Sequence, residues 1–268
     1  MGIRTLRLDL TRTENSDEIF QQIQDTMPSN LTNLRIRHPV GREQLLLDKH
    51  PSLEKLALFT LGNWVPSLLS SLQSLYLTIE ADDIIRDECF LEISPNLERL
   101  EFNLLNKVED IQMLTKNACQ LKSFGVVHFL ITTVLSLCLP ESTITHWSLE
   151  MCPILEDYSA IRDFKQLKFL EIISGPFPPE LLLQNNGFPN LTKFRFTVDN
   201  SAVTELCLDD AVFPETLMEL QVTGRVVINN WVPPPKLRVL ALWGCQFPHG
   251  IQFTLPDDVN EIDIQYTD

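Results

Sequence analysis

The feature that most constrains this chain is a spacing that recurs along almost all of it: two apolar residues three apart, with a third two positions later. It is clearest in Leu97–Phe102, LERLEF, and returns as IRTLRL, LTNLRI, LEKLAL, LQSLYL, LKSFGV, ITHWSL, LKFLEI, LTKFRF, LMELQV, LRVLAL and VNEIDI. The first apolar positions fall at Ile3, Leu31, Leu53, Leu72, Leu97, Leu121, Ile144, Leu167, Leu191, Leu217, Leu237 and Val259, a mean period of about 23 residues. Self-similarity at this period marks a repeat architecture, in which each unit buries its apolar face only against its neighbours.

Within each unit the last two apolar positions alternate with polar ones, which predicts a short strand with one buried face. The intervals are too long for hairpins, so successive strands are expected to be parallel and joined by crossovers. Proline supports this register. Pro28, Pro51, Pro95, Pro189, Pro214, Pro235 and Pro256 stand two or three residues before a unit's first apolar position, where a missing N–H ends the crossover.

Four crossovers read as helical. Asn15 and Ser16 with Asp17 and Glu18 form a capping pattern, followed by Ile19, Phe20, Ile23 and Met27 at helical spacing. Arg42–Lys49, Val108–Ala118 and Glu180–Asn185 read similarly, whereas beyond residue 197 Pro, Gly, Asp and Asn replace helical patterns. An extra VTELCL at 203–208 reads as a strand or turn outside the main ladder. With no break in composition, residues 1–268 are expected to form a single domain of about twelve units.

These units resemble the leucine-rich repeat superfamily over nearly the whole chain. The resemblance implies an α/β fold: a curved solenoid with a parallel inner sheet, and helices and irregular loops on its convex side. The position three after the last apolar residue, commonly Asn or Cys in that family, matches only at Cys152 and Cys245. The irregular units, with FPETLMEL at 213–220 and LPDDVNEI at 255–262, look like the substrate-reading repeats of F-box proteins. That resemblance implies a substrate-receptor or adaptor role in ubiquitin ligase targeting. The repeats begin at Ile3 with no F-box helices, so the adaptor would dock through a segment preceding this sequence, and the same segment or a partner would cover the first strand's edge.

A net charge of −15 excludes broad binding to nucleic-acid phosphates, which requires clustered Lys and Arg. MGIRTLRLDLTRTE lacks signal-peptide character, and the apolar run 126–139 is shorter than a membrane span. Six scattered cysteines form no CxxC pair, which suits reduced thiols in a cytoplasmic or nuclear protein. Asn30-Leu31-Thr32 and Asn190-Leu191-Thr192 are formal glycosylation sequons, so an extracellular recognition protein is a third reading.

Chemistry-bearing motifs are absent from the sequence. His38, His50, His128, His146 and His249 have no two-ligand spacing, and no GxSxG, GxxxxGK or GxGxxG occurs. The acidic pairs Asp82-Asp83, Asp209-Asp210 and Asp257-Asp258 read as solvated turns. No catalytic residue, metal ligand or cofactor is assigned. A GTPase-regulating role, the second reading, would need a presented arginine such as Arg42 or Arg86.

The outward positions of the strands are therefore the candidate surface, for a protein partner. The first units present Arg7, Arg35, Arg37 and Lys55, a basic cluster on an acidic chain suited to an acidic partner, with Phe59 and Tyr76 beside it as anchors. Arg99 and Glu101 follow. Farther along, Phe169, Ile173 and Trp243 are outward apolar groups.

Overall fold

The computed structural model describes residues 2–11, 15–37, 49–59, 71–78, 96–103, 120–127, 143–151, 161, 163–175, 188–198, 206–209, 211–250 and 253–266. The strands are β1 (Thr5–Asp9), β2 (Asn33–Arg37), β3 (Lys55–Phe59), β4 (Ser74–Thr78), β5 (Arg99–Asn103), β6 (Ser123–Val127) and β7 (His146–Glu150). They continue with β8 (Phe169–Gly175), β9 (Lys193–Val198), β10 (Leu206–Cys207), β11 (Glu219–Thr223), β12 (Val226–Val227), β13 (Val239–Cys245) and β14 (Glu261–Tyr266). The chain forms two compact units, one carrying β1–β6 and the other β7–β14.

In the first unit β1 to β6 pair in sequence order, every pair parallel and in unbroken register. In the second, β7, β8, β9, β11, β13 and β14 also pair in parallel in that order, with a register shift late in β8 and in β13. Each is a parallel β-solenoid with one strand per repeat, the arrangement expected of leucine-rich repeats. The register is locked just before each strand by one carbonyl that accepts two consecutive N–H groups of the next repeat. Arg4 O receives Thr32 and Asn33, Thr32 O receives Glu54 and Lys55, and Glu54 O receives Gln73 and Ser74. The second unit repeats the device from Thr145 O, received by Lys168 and Phe169, to Arg238 O, received by Asn260 and Glu261.

The first apolar position of each repeat is buried because a tight turn folds it inward. Leu31 N–H donates to Pro28 O, Leu53 to His50 O, Leu191 to Phe188 O and Leu217 to Pro214 O. Proline thus occupies the turn's first position, or its second as at Pro51 and Pro189, where its fixed φ suits the geometry. The outermost strands depart from the pattern. Ile3 and Ile262 are exposed, and Leu6 and Leu8 are half-buried where Leu34 and Ile36 one repeat inward are buried.

Of the expected helices, α1 (Ser16–Thr26) is present, and Pro28 follows its end at Met27. Phe20 and Gln24 form its buried face, with Ile19 and Ile23 half-buried beside them. Its cap differs from expectation: Asn15 is left-handed (φ 60°) and its side chain makes no capping bond, while its carbonyl accepts Ile19 N–H. The expected helices at 42–49, 108–118 and 180–185 lie outside the described residues, apart from Lys49.

Past residue 197 the described crossovers are irregular, as expected, and aromatic side chains fill the second layer. Phe194, Phe213, Trp231 and Phe253 follow one another at centroid distances of 6.2, 6.0 and 5.2 Å, the last two contacts edge-to-face. The extra segment at 203–208 supplies β10, which pairs in parallel with β12 outside the main ladder. Four repeats of the second unit share a left-handed residue five positions after the strand start: Met151 (φ 52°), Ser174 (φ 52°), Gly224 (φ 116°) and Gly244 (φ 72°). The register shifts by one residue after Ile173 and after Trp243, as a bulge with a left-handed residue produces. At Gly224 glycine is required, since a Cβ there would lie 2.8 Å from Val198 Cβ.

Candidate functional site

Strand alternation sends one set of side chains into the core and leaves the other on the open face. In the first unit register gives two outward rows that matter: Arg7, Arg35, Ala57, Tyr76, Glu101 and Asp9, Arg37, Phe59, Thr78. Four of the expected residues meet at one place. The guanidinium carbons of Arg35 and Arg37 stand 4.6 and 5.1 Å from the centroid of Phe59, and that ring packs on Tyr76 at 5.0 Å. Both rings are half-buried and both arginines exposed.

Arg7 lies directly opposite Arg35, a like-charge cross-strand pair that costs on the order of 0.2–1 kcal/mol. Arg37 approaches Asp9 at 3.8 Å with both side chains at least half exposed, so this contact adds little. Lys55 is exposed one row away, opposite Asn33 and Ser74. The cluster therefore concentrates positive charge around an aromatic pair.

Arg99 and Glu101 answer each other within β5 at 3.2 Å. The Glu101 side chain extends across Gly125, where a Cβ would meet its Cγ at 3.1 Å.

The second unit holds the remaining three. Phe169 is half-buried between the His146 ring at 5.9 Å, edge-on, and Lys193 Nζ and Arg195 Cζ at 5.7 and 5.8 Å. Arg195 also pairs with Glu171 at 3.4 Å, and Glu171 accepts the Ser148 hydroxyl at 3.0 Å. Ile173 is half-buried on the adjoining row, and Trp243 lies three strands farther along that row. Lys193 and Arg195 were not singled out by the sequence pattern, although LTKFRF presents them by the same alternation that gave Arg35 and Arg37.

The Ser148 hydroxyl donates to the Glu171 carboxylate, and burial raises the pKa of the Cys245 thiol to about 12, which holds that thiol protonated. The described residues contain no group of three or more His, Cys, Asp or Glu side chains able to hold a metal, and no helix among them is long and apolar enough to cross a membrane. Arg42 and Arg86 lie outside the described residues. Of the two sequons, the second is tied into the fold, since Asn190 Nδ2 donates to Lys165 O at 2.8 Å.

Asp209 staples the second layer. Its carboxylate accepts Asn229 N–H at 2.7 Å, Asn229 Nδ2 at 3.0 Å and Asn230 N–H at 3.0 Å. Desolvation pushes its pKa up, but the bonds from Asn229, Asn230 and Cys207 outweigh it and hold the carboxyl below its ordinary value. A group with a lowered folded pKa contributes stability above its unfolded pKa and loses that contribution as pH falls through the folded pKa. Asp209→Ala is accordingly expected to cost on the order of 1–2 kcal/mol near neutral pH. The difference from the parent should shrink in the acid limb below pH 3.8, as measured by urea unfolding across pH.

No family model matches this sequence, and no curated protein matches it. Among solved structures it is similar to an internalin (inlF) from Listeria monocytogenes, at 15% sequence identity and a TM-score of 0.43, over 88% of this chain and 61% of that one. The chain thus spans about three-fifths of that protein's length.

Proposed function

We propose that this protein is a non-catalytic recognition module that binds a protein partner through the open face of its strands. The observation that carries the reading is the exposed Arg35 and Arg37 pair over Phe59, backed by Tyr76. Arginine and aromatic side chains together are the usual material of binding hot spots, and Arg7 and Lys55 extend a positive field suited to an acidic partner. Arg99 and Glu101 on the open face of the first unit, and Phe169, Ile173 and Trp243 on the open face of the second, are secondary contacts. The irregular, proline-led repeats support a substrate-receptor or adaptor role in ubiquitin ligase targeting, in the cytoplasm or nucleus.

The test is affinity purification of the full-length gene product, parent and Arg35→Glu/Arg37→Glu in parallel. An acidic protein recovered by the parent and lost by the variant is the expected result; co-recovery of an F-box adaptor supports the ligase branch. Unchanged recovery by the variant would sink the assignment of this surface.

A further inference from the structure

The second unit carries a recess that the basic cluster of the first does not explain. It lies on the open face over β9, β11, β13 and β14, with a volume of about 320 Å³. That is the small end of the range of about 300–1,000 Å³ typical of ligand pockets, a size suited to one long side chain. Ala241, the smallest outward residue of β13, makes the hollow, and Val239 and Trp243 flank it on the same strand.

The charges around it are arranged unequally. On one side Lys193 pairs with Glu219 and Arg195 pairs with Glu171, so both cations are matched by carboxylates of neighbouring strands. On the other side β14 presents Glu261 opposite Val239 and Asp263 opposite Ala241. These two have no cation within ion-pair distance among the described residues; Asp263 receives only the Gln265 amide, at 3.3 and 3.4 Å. The recess therefore combines a floor of Ala241 beside the Gln221 amide, an indole at one end and, along one wall, two carboxylates that no cation among the described residues compensates.

We propose that this recess receives an arginine side chain from a basic segment of a protein partner. A guanidinium fits because its planar fork takes a carboxylate in two parallel bonds while its face stacks on an aromatic ring. Lysine, a compact and strongly hydrated point charge, satisfies only the carboxylate. The inference rests on the protein-recognition reading, but its surface is separate from the Arg35 and Arg37 cluster, and each is tested by its own variants.

The experiment uses the full chain and four capped pentapeptides, a central Arg, Lys, Gln or Glu between two glycine pairs, titrated while amide and indole resonances are followed by NMR. The expected result is saturable shifts at the Trp243 indole and the Ala241 and Asp263 amides with the arginine peptide, weaker ones with lysine, and none with glutamine. In Glu261→Gln/Asp263→Asn the arginine affinity should fall about tenfold. The equal charge change Asp257→Asn/Asp258→Asn, on the exposed turn before β14, should leave it unchanged. Ala241→Phe, which fills the hollow without altering charge, should abolish the shifts while the rest of the spectrum stays native. Equal shifts with all four peptides, preference for the glutamate peptide, or equal losses in the two charge variants would overturn the proposal, and these outcomes leave the Arg35 and Arg37 test untouched.

Discussion

Replacing Trp147 by alanine should destabilise the second unit by about 3–5 kcal/mol, the largest single-residue effect expected in this protein. Trp147 is fully buried at the inward position of β7, and its ring meets Phe164 edge-on at 4.7 Å. The substitution removes both its buried area and an aromatic contact worth a further ~1 kcal/mol, and leaves a hole between the strand layer and the crossover. Against a typical total stability of about 5–15 kcal/mol this is a large fraction. It corresponds to a fall in Tm of roughly 10 °C or more, read by calorimetry or circular dichroism. In a stacked repeat each unit is held by its neighbours, so hydrogen exchange should show protection lost first at β7 and β8. A Tm within a degree or two of the parent would contradict the packing described for β7.

Reversing Arg35 and Arg37 to glutamate should have the largest effect on binding. Both guanidinium groups lie over Phe59, so the variant removes two cation–π contacts of about 0.5–1 kcal/mol each and replaces two attractive charges by repulsive ones. Partner affinity should fall by roughly a hundredfold at low ionic strength. The parent's own affinity should weaken as salt rises, because exposed charges are screened. Stability should fall by only about 1–2 kcal/mol, the value of the two lost cation–π contacts, because the gain from Arg35→Glu opposite Arg7 is offset by Arg37→Glu opposite Asp9. Urea unfolding separates the two effects. Loss of binding with an unfolded variant would say nothing of the face, whereas a folded variant with parental affinity would reject it.

What the sequence made legible follows from periodicity. A residue whose neighbours recur every second position along a strand and every 23 or so along the chain has its burial dictated by the pattern, and Leu34, Leu56, Leu75 and Leu100 are buried accordingly. The same alternation placed Arg35, Arg37, Phe59 and Tyr76 on one face, and register alone brings them together. The second layer was less legible because nothing in it repeats. Pairing of β10 with β12 depends on residues twenty apart in different crossovers, and the Asp209 staple becomes visible only when Asn229 is brought to it. The left-handed backbone at Met151 and Ser174 carries no glycine to announce it, and the left-handed Asn15 replaced the side-chain cap that its position suggested. The recess of the second unit escaped for a different reason: Asp263 and Arg195 are ordinary outward charges until the strands between them set their separation.

The claim at the centre is that the partner sits on the open face of the strands and not on the crossovers. Site-specific cross-linking tests it directly, with a photoreactive benzophenone residue placed at Tyr76 on β4 in one preparation and at Gln21, exposed on α1, in another. Illumination of each with the captured partner should give a covalent adduct from Tyr76 and none from Gln21. An adduct from Gln21 with none from Tyr76 would contradict the account.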